Sequence, residues 1–205
     1  MAGLSIVEYG IGNIQSAVNA CRRVGADPKM VRSGAELLAR GSTRIMLPGV
    51  GAIGEAMANL RERRLDEALR RRVIDDGVPF LGICVGMQML GEVCEEFGEH
   101  RGLGWIPGRV RRLAPVGSGL RLPHVGWNTI EVTGADPLLA DLNGEHFYFQ
   151  HSYALQCGEE YVLARTDYGE PFVSAVRKGH ITGVQFHPEK SSTAGARLLA
   201  AFLAE

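Results

Sequence analysis

A cysteine stands between two glycines in "PFLGICVGMQML", residues 79–90. Cys84 closes an apolar run and precedes a run of helical character. The pattern Gly82-x-Cys84-x-Gly86 has the form of a nucleophile elbow, a sharp strand-to-helix turn that needs residues without a β-carbon on both sides. Such a turn holds a reactive side chain in a strained conformation at its apex. The helix that follows turns its positive end toward the sulfur and favours the thiolate. The backbone N–H of Val85 then becomes available to a developing oxyanion. The plain alternative for any cysteine is a small buried hydrophobe. What separates the two readings is whether the chain also supplies a base and a group to orient it.

"GVQFHPEKS" supplies both. His187 ends an apolar strand, and Pro188 keeps it extended because the residue before a proline avoids the helical region. Residues i and i+2 of an extended chain project to the same side, so Glu189 lies beside the His187 ring. That is the base-and-orienter half of a Cys-His-acid triad. Taken alone, "HPE" is a weak signal; at a strand end equivalent to that of Cys84 it is stronger. Of the other histidines, His100 and His180 fall in polar loop stretches and read as solvated. His124, His146 and His151 sit near aromatic strands and read as core or rim.

A third element is "PGVGAIGEAM", where Gly49-x-Gly51-x-x-Gly54 is formally a dinucleotide fingerprint. A nucleotide site wants an acid at the end of the following strand to hold a ribose, and that strand ends in Cys84 instead. The loop of Gly49, Val50 and Gly51 reads better as N–H groups that join Val85 in an oxyanion hole. Tight-turn glycines alone are the simpler reading.

These groups need a scaffold. Apolar runs at 4–10, 44–49 and 78–83 read as buried strands. Helical runs fill 13–25, with Asn13 as N-cap and Gly25 as C-cap, then 54–77 and 86–97. In 54–77, Met57, Leu60, Leu65, Leu69 and Val73 fall near one face. Alternating βα units predict an α/β, flavodoxin-like fold: an open, mostly parallel sheet with helices on both faces. The second half changes to short strands between Gly, Pro and Asp turns. It predicts added antiparallel strands, in the same sheet or as a small extension. A helix over 193–205 closes the chain, and residues 1–205 read as a single domain.

Net charge is −1, which excludes a strongly basic nucleic-acid or membrane-surface binder. No apolar run is long enough to span a membrane, and the N-terminus has no signal-peptide pattern. Cys21, Cys84, Cys94 and Cys157 show no framework spacing and read as thiols in a reducing compartment, which predicts a cytoplasmic protein. No zinc-type ligand spacing occurs, so neither a metal nor another cofactor is expected.

"PGVGAIGEAM", "GICVGMQML" and "GVQFHPEKS", in this order, resemble the class I, triad-type glutamine amidotransferases. "YGIGNIQS", "RGLGWIPGRV", "PHVGWN", "FYFQHSY" and "HPEKSS" narrow the likeness to glutaminase subunits of imidazole glycerol phosphate synthase, over essentially the whole chain. The resemblance implies hydrolysis of L-glutamine to glutamate and ammonia, with Cys84 as nucleophile, His187 as base and acid, and Glu189 as its orienter. It places Gln88, Glu96, His151 and Ser152 around the glutamine. It implies a (β/α)8 cyclase partner that takes the ammonia, with Asn13, Gln15, Trp127, Tyr148 and Lys190 in segments lining the shared interface. It also implies low activity in isolation, for which a peptide flip at Gly49 and Gly51 would be the physical means. Glu8, Ile53-Gly54-Glu55, Trp105 and Gln150 depart from the commoner family pattern. They leave open a relative that serves another synthase, such as one aminating surface-polysaccharide sugars.

Overall fold

The computed structural model describes residues 3–116 and 119–205. In chain order the strands are β1 (Leu4–Val7), β2 (Lys29–Val31), β3 (Arg44–Gly49), β4 (Phe80–Cys84), β5 (Val93–Cys94), β6 (His100–Arg101), β7 (Gly108–Arg112), β8 (His124–Thr129), β9 (Glu131–Val132), β10 (His146–His151), β11 (Tyr153–Cys157), β12 (Val162–Asp167), β13 (Pro171–Lys178) and β14 (Ile181–Val184). The helices are α1 (Ile14–Arg23), α2 (Gly34–Ala39), α3 (Ile53–Glu62), α4 (Leu65–Leu69), α5 (Val85–Gln88) and α6 (Ser192–Ala204).

The main sheet has eight strands in the order β2-β1-β3-β4-β14-β13-β12-β9. Its first five strands run parallel, and β13, β12 and β9 extend it antiparallel. The strands of this core, β1, β4 and β14, are buried at every position, as a parallel sheet covered on both faces requires. Strand order reverses direction between the β1–β2 and β2–β3 connections. Right-handed crossovers therefore place α1 on one face and α2, α3 and α4 on the other. The helix contacts agree: α1 packs with α6, while α2 and α3 pack with α4. The second half does both things the sequence allowed, since β5, β6, β7 and β11 form a separate four-stranded sheet and β8 pairs with β10 in a two-stranded ribbon.

Two predicted helices are corrected. The run 54–77 is not one helix: α3 ends at Glu62, Arg64 turns left-handed at φ 53°, α4 follows, and Arg70–Asp75 form one wide helical turn. The break accommodates α2, whose Gly34 donates its N–H to the Arg63 carbonyl at 2.9 Å and whose missing β-carbon admits the Arg64 carbonyl. The predicted apolar residues Met57, Leu60, Leu65, Leu69 and Val73 are all buried nonetheless. The run 86–97 stops after one turn, because the Leu90 carbonyl accepts from both Trp105 and Ile106 and Val93–Cys94 joins the small sheet. His100 and His180 are not free in solvent. The ring of His100 packs where a β-carbon on Gly54 would sit, and His180 Nε2 bonds the Val73 carbonyl at 2.7 Å. Gly54 is thus explained by His100 and requires no nucleotide.

Candidate active site

The sheet register assembles the site. Gly49 at the end of β3 pairs with Cys84 at the end of β4, and Val184 at the end of β14 pairs with Ile83. Three carboxyl ends therefore meet: the Gly49-Val50-Gly51 loop on one side of Cys84, and the segment leading to His187 on the other. Ligands bind at this edge of open α/β sheets.

Cys84 has φ 55° and ψ −109°, a left-handed backbone for a residue with a β-carbon. Such a conformation costs roughly 1–3 kcal/mol and persists only where surroundings enforce it. Gly82 and Gly86 permit the close packing around it: a β-carbon on Gly82 would meet the Gly86 carbonyl at 2.5 Å, and one on Gly86 would overlap the Leu47 carbonyl of β3. The elbow read from the sequence is thus a chain folded on itself so closely that only glycines fit.

His187 is 1% exposed. Its Nδ1 lies 2.8 Å from Glu189 Oε1, so Nδ1–H donates to the carboxylate and the ring is fixed. Its Nε2 is buried and has no hydrogen-bond partner, while the sulfur of Cys84 lies near enough to act on the ring electrostatically. Burial alone would lower the His187 pKa; the Cys84 thiolate, then the Glu189 carboxylate, outweigh it and raise the value to about 9. At neutral pH this favours an imidazolium facing the sulfur of Cys84.

His151 is the nearest rival base, and its surroundings disqualify it. Desolvation first, with smaller contributions from His124 and His187, lowers its pKa to about 3 against the raising effect of the Tyr153 carbonyl. Nδ1–H of His151 donates to that carbonyl at 2.9 Å, which leaves Nε2 as an acceptor 3.3 Å from His124 Nδ1. The ring is neutral and spoken for.

A cleft beside Cys84 is lined by Val50, Gly51, Val85, Gln88, Glu96, Gln150, His151, Ser152 and Tyr153. The cleft thus holds Val50, Gly51 and Val85 of the oxyanion candidates together with the four substrate candidates, while Gly49 borders the neighbouring depression with His187 and Glu189. The positions differ in what their side chains are free to do. Gln88 is buried, and its Nε2 donates to the Tyr153 carbonyl at 2.7 Å. Glu96 accepts the N–H of Ile53 at 2.9 Å, so it caps α3 where the 49–51 loop enters it. Tyr153 was not singled out in the sequence, and Gln150 only as a departure from the family pattern. Gln150 carries its carbonyl 3.9 Å from Cys84 Sγ, within reach of a weak S–H donation.

The model of the family "Glutamine amidotransferase class-I" matches residues 5–205. The chain belongs to that family. Among curated relatives of this amidotransferase, "Imidazole glycerol phosphate synthase subunit HisH" of Desulfitobacterium hafniense (strain Y51) is 45% identical over 201 residues, covering 97% of this chain and 92% of the relative. The subunit of the same name from Symbiobacterium thermophilum is 46% identical over 203 residues, covering 98% and 92%. A solved structure described as "Crystal structure of glutamine amidotransferase" superposes with TM-score 0.77 at 26% identity, covering 98% of each chain.

The five residues placed on an interface lie around the same edge of the amidotransferase. Asn13 caps α1 and, with Lys190, borders a depression shared with Gly49, Val50, His187 and Glu189. Gln15 is exposed on α1 and bonds Asn19 at 2.9 Å. Trp127 of β8 is half exposed and meets Tyr148 of β10 edge to face, and Lys190 Nζ lies 5.4 Å from the Tyr148 ring centroid. Trp105, one of the departures, is instead buried against Phe80 and faces no surface. No helix among the described residues is long and apolar enough to cross a membrane.

One prediction follows from the electrostatics. In Cys84→Ala the largest influence raising the His187 pKa is gone, and burial opposes Glu189 alone. The His187 titration, followed by NMR of the ring protons, is expected to move down from about 9. A midpoint that stays near 9 would assign the whole effect to Glu189.

Proposed function

We propose that residues 1–205 work as one glutaminase unit, hydrolysing L-glutamine to glutamate and ammonia, and that a cyclase subunit of imidazole glycerol phosphate synthase takes the ammonia. The observation that carries the chemistry is the pairing of Gly49 with Cys84 in a register that also sets His187, held by Glu189 at 2.8 Å, beside the sulfur. The Cys84 thiolate attacks the carboxamide carbon. N–H groups of the Gly49-Val50-Gly51 loop and of Val85 receive the oxyanion. His187 gives its proton to the amide nitrogen, and as the carbon–nitrogen bond breaks this nitrogen leaves as ammonia. In the resulting thioester the sulfur is uncharged, so the strongest influence holding a proton on His187 disappears. The ring is then free to take a proton from water, whose oxygen attacks the thioester. The carbon–sulfur bond breaks, the thiolate is restored and glutamate leaves. Gln88, Glu96, His151 and Ser152 line the space for the substrate; the buried His151 ring shapes that space without ionising.

The relatives' name supports the partner, and so does the surface. The β8–β10 ribbon presents Trp127 and Val125 to solvent. It is tied to the catalytic segment by His187 N–H to the Tyr148 carbonyl at 2.9 Å and by Tyr148 N–H to Ser191 Oγ at 3.0 Å. A subunit docked on Asn13, Gln15, Trp127, Tyr148 and Lys190 would therefore press directly on the base. Four unpaired cysteines suit a reducing cytoplasm.

The test is glutamate release from glutamine by this chain alone and with the cyclase subunit and its nucleotide substrate. Stimulation on the order of tenfold or more is expected. Labelling of Cys84 by a glutamine affinity label without any stimulation would keep the chemistry and move the partner to a synthase that aminates sugars.

A further inference from the structure

Gln185 follows β14 and precedes His187 by two residues, and the steps above give it nothing to do. Its side chain is wholly buried. One end of its amide lies 3.6 Å from Cys84 Sγ, and the other lies 3.0 Å from the side-chain amide of Gln88. Which end is which follows from Tyr153. The backbone carbonyl of Tyr153 can only accept, so the Gln88 atom 2.7 Å from it is the NH2 group. That same NH2 group faces Gln185, which must therefore present its oxygen to Gln88. The NH2 of Gln185 is left pointing at the sulfur.

We infer that Gln185 donates a hydrogen bond to the Cys84 sulfur and stabilises its thiolate, as a second support for the nucleophile beside His187. The inference rests on Cys84 being the nucleophile. An amide N–H donates weakly to a neutral sulfur and much more strongly to a charged one. Its contribution is therefore largest at two moments, before attack on the carboxamide and when the thioester carbon–sulfur bond breaks and the electron pair returns to sulfur. At the second moment His187 is occupied with the proton taken from water. A donor fixed by Gln88 and Tyr153 in a water-excluded site needs no reorganisation to act then. The ionisable groups that face the sulfur from the surrounding elements are His187 after β14, Tyr9 after β1, His151 of β10 and Glu96 across the cleft, and the test leaves all of them in place.

The full chain is compared with Gln185→Met, which keeps the length and removes the donor, and with Gln185→Glu, which keeps the shape but offers only acceptors. Each is treated with iodoacetamide across pH 5–10, and the adduct is read on the Cys84 peptide by mass, since Cys157 is also partly accessible. The thiolate displaces iodide, so the rate follows thiolate population. In Gln185→Met the midpoint is expected to rise by about one unit, with a roughly tenfold slower reaction below it. In Gln185→Glu it is expected to rise further. The KM for glutamine changes little, because Gln185 does not line the cleft. A residue that merely packs would lower Tm and leave the midpoint where it was; an unmoved midpoint in either folded variant overturns the inference. A wild-type Cys84 that takes no glutamine affinity label would instead overturn the nucleophile assignment on which it rests.

Discussion

Cys84→Ala is expected to abolish glutamate release while the fold survives. The loss follows from chemistry: no other thiol faces the cleft. Cys21 and Cys94 are buried, and burial is the main cause that pushes each thiol up to about 12. Cys157 is pushed up to about 11, again mainly by burial, and lies on the separate four-stranded sheet. None can substitute. Survival of the fold follows from what the sulfur contributes. Besides its electrostatic interaction with His187, its contacts are one donation from Gln185 at 3.6 Å and one weak approach to the Gln150 carbonyl at 3.9 Å. The site is 2% exposed, and alanine leaves only a small void. The change in stability is expected to be within about 1 kcal/mol, because one sulfur atom with weak contacts is all that is lost. Glutamate release measured beside urea unfolding checks both halves. Activity near wild type would sink the nucleophile assignment, and collapse of the fold would sink the account of the elbow as held by Gly82 and Gly86.

The sequence made this residue legible because the elbow needs glycine at two fixed places, and few other arrangements do. The overlap of a Gly86 β-carbon with the Leu47 carbonyl is the physical reason behind the pattern. His187 and Glu189 were legible for a similar reason, since a proline between them fixes a backbone that sends both side chains the same way. The first parallel strands could be read because burial on both faces leaves an unbroken apolar run. The breaks in the predicted helices could not be read. Arg64 turns left-handed to receive Gly34, a residue 30 positions away, and Leu90 gives its carbonyl to Trp105 and Ile106 from a later loop. Local periodicity carries no trace of such partners. Strand β2 and helix α2 went unread because Lys29–Val31 is only three residues long and its first is exposed. Gln185 was missed although a signal existed: a glutamine inside "ITGVQFHP" is a polar group in an apolar strand, on the same side as His187. What the sequence did not contain was Gln88 and Tyr153 on other elements, which turn that amide toward the sulfur.

His187→Asn is expected to lower kcat on the order of 10³-fold or more, with KM moving far less. His187 does three things at once. It provides the positive charge opposite the thiolate, it gives a proton to the leaving amide nitrogen, and it takes one from water. Asparagine does none of them, and its shorter side chain also leaves the Glu189 carboxylate buried without its present partner. KM is expected to be spared because the cleft proposed to receive glutamine is lined by Gln88, Glu96, Ser152 and their neighbours, while His187 borders the other depression with Asn13 and Lys190. Glu189→Gln is the graded comparison: it keeps an acceptor for Nδ1–H at 2.8 Å but removes the charge that helps hold His187 protonated. Its loss is expected to be smaller than that of His187→Asn. Groups that act as a unit are not additive, so Cys84→Ala combined with His187→Asn should be no less active than Cys84→Ala alone. Steady-state kinetics on the four variants beside wild type decide the matter. His187→Asn retaining activity within tenfold of wild type would mean that the proton travels by another route, and the register of β4 with β14 would then have no catalytic meaning.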